Sequence, residues 1–159
     1  MKLRYFILII ILCPILLISC NFRYPDYFPF KNKPNGHFYT EDLFLNLNKD
    51  ENFSCRVYES NLHKEASLNK EQLSTLTEFF SSLTLDNFVE KPKDFSEKPV
   101  YKMFITANSK KYIIDIYNDT NISIYPWDGN YDIDFINMKN IHSAYNLFSF
   151  CKYTINNPK

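Results

Sequence analysis

The residues of this 159-residue chain whose chemistry could go beyond packing are four cysteines, three histidines and a few carboxylates set among apolar neighbours. A thiol nucleophile needs a histidine beside its cysteine. Cys151 and His142 are nine residues apart, which at about 100° per residue places them on opposite sides of one helix. His63 could meet Cys55 only through an accident of the intervening turn, so thiol catalysis is not expected. His37, His63 and His142 fall in three separate segments without the HExxH or CxxC spacing of a metal centre. Asp128, Asp132 and Asp134 crowd into seven residues and suggest calcium, but they lack the ligand order and central glycine of an EF-hand. A solvated turn leading into an edge strand explains them better. No cofactor and no metal are expected.

Cys20 carries a more specific signal. Lys2 and Arg4 precede an apolar run from Phe6 to Ile18. At 13 residues the run is too short to span a bilayer, which takes about 20, and Pro14 interrupts it. A basic start, a short apolar stretch and a small residue make an export signal. Leu17-Ile18-Ser19-Cys20 resembles the lipobox of bacterial lipoproteins, with Ile18 and Ser19 in place of the commoner Ala and Gly. The resemblance implies that the Cys20 thiol receives a diacylglyceryl group and that residues 1–19 are removed. Two acyl chains anchor stably because each buried methylene contributes about 0.8 kcal/mol. Removing 19 residues leaves 140 of the 159, with 16 basic side chains against 18 acidic ones, a formal −2. Acylation rather than charge would then hold the protein to its membrane lipid. The Asn, Lys, Ile, Phe and Tyr bias with three alanines suggests an AT-rich genome and a low-GC Gram-positive source. The expected location is the outer face of the cytoplasmic membrane.

Composition excludes several other classes. Basic and acidic residues balance at 18 each over the whole chain, whereas phosphate binding leaves a basic excess, so no nucleic acid is expected. A hydrophobic content of 45% excludes intrinsic disorder. Two glycines leave no Gly-rich phosphate loop.

The elements that must position the candidates can be read from periodicity. Residues 20–36 form a lipidated start and a tether rich in proline and aromatic residues, and 37–159 form one domain. Residues 38–49 are ambiguous between helix and strand, leaning to helix behind Thr40-Glu41-Asp42. Phe53 to Glu59 alternates as a strand with one buried face. Asn69 and Gln72 make a capping box, with Leu68 and Leu73 as its hydrophobic staple, opening a helix from Lys70 to Leu83. Residues 91–99 form a Pro-bounded loop. Runs 100–107, 111–117 and 121–125, joined by short turns, form an antiparallel meander, and 131–136 adds an edge strand. Ile141, Ala144, Tyr145, Phe148 and Cys151 mark a last helix over 140–153. The pattern predicts an α+β fold: a single domain with a mainly antiparallel sheet of about four strands and helices packed mainly on one face.

Placed on these elements, Cys55 and Cys151 both point inward. They either close a disulfide, which an extracytoplasmic compartment permits, or act as two buried thiols. Asp115, inside Tyr112-Ile113-Ile114-Asp115-Ile116-Tyr117, is expected on a wet sheet face; buried, it would need a partner such as Lys102 across the hairpin. Tyr125-Pro126-Trp127-Asp128-Gly129 holds the single Trp. Trp127 is expected to fold back on a corner of the core. If exposed, Tyr125, Trp127 and Asp128 form a binding patch that stacks on sugars or meets an apolar surface.

The alternating Ile/Tyr strands running into Ser-Ile-Tyr-Pro-Trp-Asp-Gly, and the Tyr-Asn-Leu helix after them, resemble a small clostridial lipoprotein family of unknown function across about the last 100 residues. The resemblance supplies no activity. The expected role is a monomeric, non-catalytic envelope module binding a protein, a cell-wall glycan or a small ligand. The competing roles are an anchored hydrolase using Asp115, Asp128 and Asp132, and a lipoprotein inhibitor or immunity factor.

Overall fold

Strand alternation decides which side of the sheet the helices cover. In the computed structural model, which describes residues 32–50, 52–92 and 95–157, seven strands among the described residues pair antiparallel throughout: β1 (Ser54–Glu59), β2 (Lys64–Ser67), β3 (Phe88–Val89), β4 (Tyr101–Ala107), β5 (Lys110–Ile116), β6 (Asn121–Pro126) and β7 (Asp134–Asn137). Their order in the sheet is β2-β1-β4-β5-β6-β7-β3. The segment expected to direct export, Cys20 and residues 21–31 of the expected tether lie outside the described residues; the second compact unit begins at Asn32.

Register lines up an apolar row across the sheet, Val57, Met103, Ile114 and Ile124, each fully buried. At roughly 1.5–3 kcal/mol for each such side chain, this face must be covered. Three α-helices among the described residues cover it: α1 (Phe38–Lys49), α2 (Lys70–Ser82) and α3 (Leu147–Asn156). α1 lies against β4, β6 and β7, α3 against β1 and β2, and α2 packs on α1. Helix α1 buries Leu43 and Leu47, which settles the ambiguous segment as helix. In α2 the capping box is complete, with the Gln72 N–H donating to Asn69 Oδ1 at 3.0 Å and the Asn69 N–H donating to Gln72 Oε1 at 2.9 Å. Leu76, Phe79 and Phe80 of α2 point into the core.

Three sequence expectations are corrected. The sheet has seven strands rather than four, because β2 exposes all but Ala66 and β3 is two residues long, so neither leaves an alternation to read. The strand expected at an edge, β7, is interior, between β6 and β3. The last helix starts at Leu147 because the Asn146 carboxamide accepts from the N–H groups of Phe148 and Ser149 and caps it there. Residues 143–145 upstream form a 3₁₀ turn. Ile141, Tyr145 and Phe148 still pack on the core, so the apolar period persists where the helix does not.

The β4–β5 hairpin closes Ala107 against Lys110 through Asn108 and Ser109, with φ of 49° and 65°. Two consecutive left-handed residues define the type I′ loop that suits the twist of a hairpin, and its second position favours glycine. Ser109→Gly should therefore stabilise the domain by about 0.5–1 kcal/mol, the left-handed strain relieved less the entropy of glycine. A thermal melt reads this as a rise of a few degrees.

Candidate functional site

The sheet face away from the helices carries the residues with chemistry to spare. Its rows follow the register: Arg56, Phe104, Ile113, Tyr125 in one, and Tyr58, Lys102, Asp115, Ser123, Phe135 in the next. The Pro-bounded loop folds over the β5–β7 end of this face, where Phe95 meets Tyr117 and Phe135 edge-on at 4.9 and 5.1 Å. At the β1–β4 end, no helix among the described residues is seen over this face. There the Arg56 guanidinium sits 5.9 Å over the Phe104 ring while pairing with Glu65 at 2.9 Å.

Asp115 does not point to water. It is 7% exposed, Lys102 donates to Oδ1 at 2.7 Å, and the Tyr125 hydroxyl donates to Oδ2 at 2.9 Å. A buried carboxylate needs such partners, and the cross-hairpin lysine is the one the register supplies. Burial, reinforced by the Asp115 charge and its hydrogen bond, pushes the Tyr125 hydroxyl well above its ordinary value. Tyr125 therefore acts as a fixed donor. Burial raises Tyr117 as well, against a lowering hydrogen bond with Ser123.

Trp127 is not folded onto the core. It is 71% exposed, although its backbone extends the ladder by donating to Lys111 O at 2.9 Å. The turn that carries it is bolted to α1. Tyr39, 3% exposed, reaches from α1 to accept from the Tyr131 N–H at 2.6 Å and donate to the Tyr131 carbonyl at 3.2 Å. A Cβ at Gly129 would stand 2.9 Å from the Tyr39 hydroxyl oxygen, so only glycine lets the turn pass over that ring. Trp127 thus projects from a turn whose far end is tied to α1. Asp128, exposed, follows it, and Lys111, exposed beside it, makes no ion pair among the described residues.

The remaining candidates do not assemble. Cys55 and Cys151 are buried free thiols on β1 and α3. Burial raises both, with the Cys55 charge adding to the effect on Cys151, and a reactive thiol needs the opposite shift. His63 hydrogen-bonds Tyr58 in the β1–β2 turn, and His142 accepts from the Ala144 N–H. Neither serves a cysteine. Asp134 leaves the acidic run for the core, while Asp128 and Asp132 stay in solvent. No group of three or more potential metal ligands occurs among the described residues, and no helix among them is long and apolar enough to cross a membrane.

Two polar anchors escaped the sequence reading. Asp134, fully buried, accepts from the Thr40 N–H at 2.7 Å and the Thr40 hydroxyl at 2.8 Å, and Lys33 approaches its other oxygen at 2.5 Å. Asp42 accepts from Lys110 at 2.8 Å and from the Tyr112 hydroxyl at 2.6 Å. Asn46 donates to the Tyr112 oxygen and accepts from Asn108, joining α1 to the hairpin tip. The spacing of Asp42 and Asn46, one helical turn apart, was the available signal.

Among the described residues, a single α+β domain with a seven-stranded antiparallel sheet and three α-helices defines the class. The chain belongs to the DUF4883 family, a domain of unknown function whose profile matches residues 33–151. It is similar to a crystal structure described as a "putative lipoprotein from Clostridium perfringens", at 32% identity and a TM-score of 0.71, covering 79% of this chain and 99% of that one. No curated protein matches the chain.

Two predictions concern the anchors. Asp134→Ala should cost about 3–5 kcal/mol in urea unfolding, because it strands Lys33 and the Thr40 donors. For Asp42, burial opposes the charged form, but the Lys110 and Tyr112 hydrogen bonds and the Lys110 charge outweigh it and hold its carboxyl below the ordinary 3.8. A lowered carboxylate stabilises the fold above its unfolded pKa and loses that contribution as pH falls through the folded one. The melting-temperature gap between wild type and Asp42→Asn should therefore be constant near neutrality and shrink below about pH 4.

Proposed function

We propose that this is a lipid-anchored envelope protein, held by acylated Cys20 on the outer face of the cytoplasmic membrane. Its domain serves as a non-catalytic binding module. The contact surface is the turn after β6 that carries Trp127, with Tyr125 and Asp128 beside it, and the partner is an envelope protein or a cell-wall glycan. One observation carries the binding role: the single Trp stands in solvent, on a turn whose far end at Tyr131 is hydrogen-bonded to Tyr39 of α1. A rigid aromatic loses little entropy on association and dominates contacts where it is buried. The fixed pairing of Asp115 also favours binding over hydrolysis, since both its oxygens are engaged. The lipobox at Leu17-Ile18-Ser19-Cys20 and the lipoprotein description of the similar crystal structure support the anchor.

Two measurements test the two halves separately. Mass spectrometry of the native protein should find a diacylglyceryl-modified Cys20 at the N-terminus; an intact leader or a free thiol there refutes the anchoring. Trp127→Ala should change stability by less than about 0.5 kcal/mol, as exposed substitutions do. It should weaken capture of the envelope partner by about 30-fold, the size of a contact hot spot, while Leu62→Ala, exposed on the distant β1–β2 turn, should not. Equal capture by wild type and Trp127→Ala refutes the proposed surface.

A further inference from the structure

Trp127 does not stand alone on its turn. Its N–H donates to Lys111 O at 2.9 Å, one step beyond the last β5–β6 pair, Tyr112 with Pro126. The ladder thus sets Trp127 opposite Lys111, and directly opposed residues on adjacent strands have Cβ atoms about 4.5–5.5 Å apart on one face. Alternation identifies the face. Tyr112 joins Ile114 and Ile116 in the core under the helices, where its hydroxyl meets Asp42 of α1, so Lys111 shares the second face with Ile113 and Asp115. Lys111 pairs in register with Thr106, and Thr106 with Ser54. All four residues are exposed. Across β1, β4, β5 and the turn after β6, the row therefore offers two hydroxyls, an ammonium and an indole.

Charge and isolation select the occupant of this row. Among the other strand cations of the second face, Arg56 is paired with Glu65 and Lys102 with Asp115. Lys111 makes no ion pair among the described residues. Asp128, next to Trp127 in the chain, acts on the opposite face: burial and the Asp42 hydrogen bond raise the Tyr112 hydroxyl, and the Asp128 charge adds to them. The open ammonium beside the indole thus complements an anion. A single ammonium balances one carboxylate, whereas a phosphomonoester brings about 1.5 to 2 negative charges. The indole is also alone. The other large apolar side chains exposed among the described residues, Leu45, Leu62, Leu85, Val89 and Tyr153, all lie outside the row. The row therefore lacks the apolar surround of a protein hot spot. A sugar ring fits it better, with a C–H face for the indole and a rim of hydroxyls for Thr106 and Ser54.

We propose that the row formed by Ser54, Thr106, Lys111 and Trp127 binds an acidic glycan, a chain of sugar rings bearing carboxylates. One ring stacks on Trp127, a carboxylate meets the Lys111 ammonium, and the chain continues across Thr106 and Ser54. The proposal rests on Trp127 being a contact surface and narrows its partner to a carbohydrate.

The probes are trigalacturonate and its methyl ester, which share rings and linkages and differ in charge. Trp127 is the single Trp, so its fluorescence in the purified protein reports occupancy directly. Trigalacturonate should change that fluorescence saturably, with a dissociation constant of about 1 mM. The ester should bind about three- to five-fold more weakly, and added salt should narrow the difference. Lys111→Gln should weaken the acid to the level of the ester and leave the ester unchanged. Trp127→Ala, followed by NMR, should abolish saturable binding of both. Lys152→Gln, exposed on α3, should alter neither, and melting curves establish that each variant folds. No saturable response to trigalacturonate, equal binding of acid and ester, or a Lys111→Gln variant that still prefers the acid overturns the proposal. If Trp127→Ala nonetheless weakens envelope capture, the contact surface stands with another occupant; if capture is indifferent to Trp127, the surface itself fails.

Discussion

The carboxylate of Asp134 lies at the end of an apolar row. In register it follows Val57, Met103, Ile114 and Ile124, and like them it is fully buried. An ionised carboxylate in that position is affordable only if its oxygens are engaged. The structure engages them from two places far away in sequence: the first turn of α1, through the Thr40 N–H and hydroxyl, and Lys33 ahead of that helix. The N-terminal end of a helix also carries partial positive charge, which favours an anion there. One buried charge thus fixes where α1 begins, how it lies on the sheet and where the preceding chain joins the domain. Tyr39, one residue before Thr40, inherits this placement and holds the turn after β6. The position of Trp127 depends on that sequence of contacts.

The two faces of the sheet are satisfied by different means. On one, helices bury aliphatic side chains in the ordinary way. On the other, polar groups are buried by pairing among themselves, Asp115 with Lys102 and Tyr125, Ser123 with Tyr117, and a loop supplies Phe95 as the lid over one end. Ile113 is 7% exposed on this face, with Phe104 and Tyr125 flanking it in register.

Local signals predicted what local physics determines. The capping box of α2, the alternation of β1 and the β4–β5–β6 meander were all legible, because each is set by residues within a few positions of one another. Helix sense for 38–49 required tertiary information, since Leu43, Leu45 and Leu47 fit a strand equally well and only the burial of Leu43 and Leu47 in the core, with Leu45 left exposed, decides it. Asp115 and Trp127 were misjudged for related reasons. Whether a strand residue meets water depends on which loop crosses the second face, and whether a turn residue folds inward depends on what already fills the space beneath it. Tyr39, contributed from about 90 residues away, occupies that space under the Trp127 turn. Cys55 and Cys151 were correctly placed facing the interior, and both are free thiols.

The limits of the domain follow the same electrostatic logic. Composition puts the end of the tether after Pro34 and Gly36, where turn-forming residues stop. The compact unit begins earlier, at Asn32, and the DUF4883 match begins at Lys33, the residue that meets the otherwise unpartnered oxygen of Asp134. A lysine in a Pro- and Asn-rich stretch reads as solvated, and nothing nearby indicates that its counter-charge is a hundred residues downstream. Once that pair is recognised, residues 33–36 belong to the fold: Lys33 closes the buried carboxylate, and Asn35 orders Glu41 on the first turn of α1.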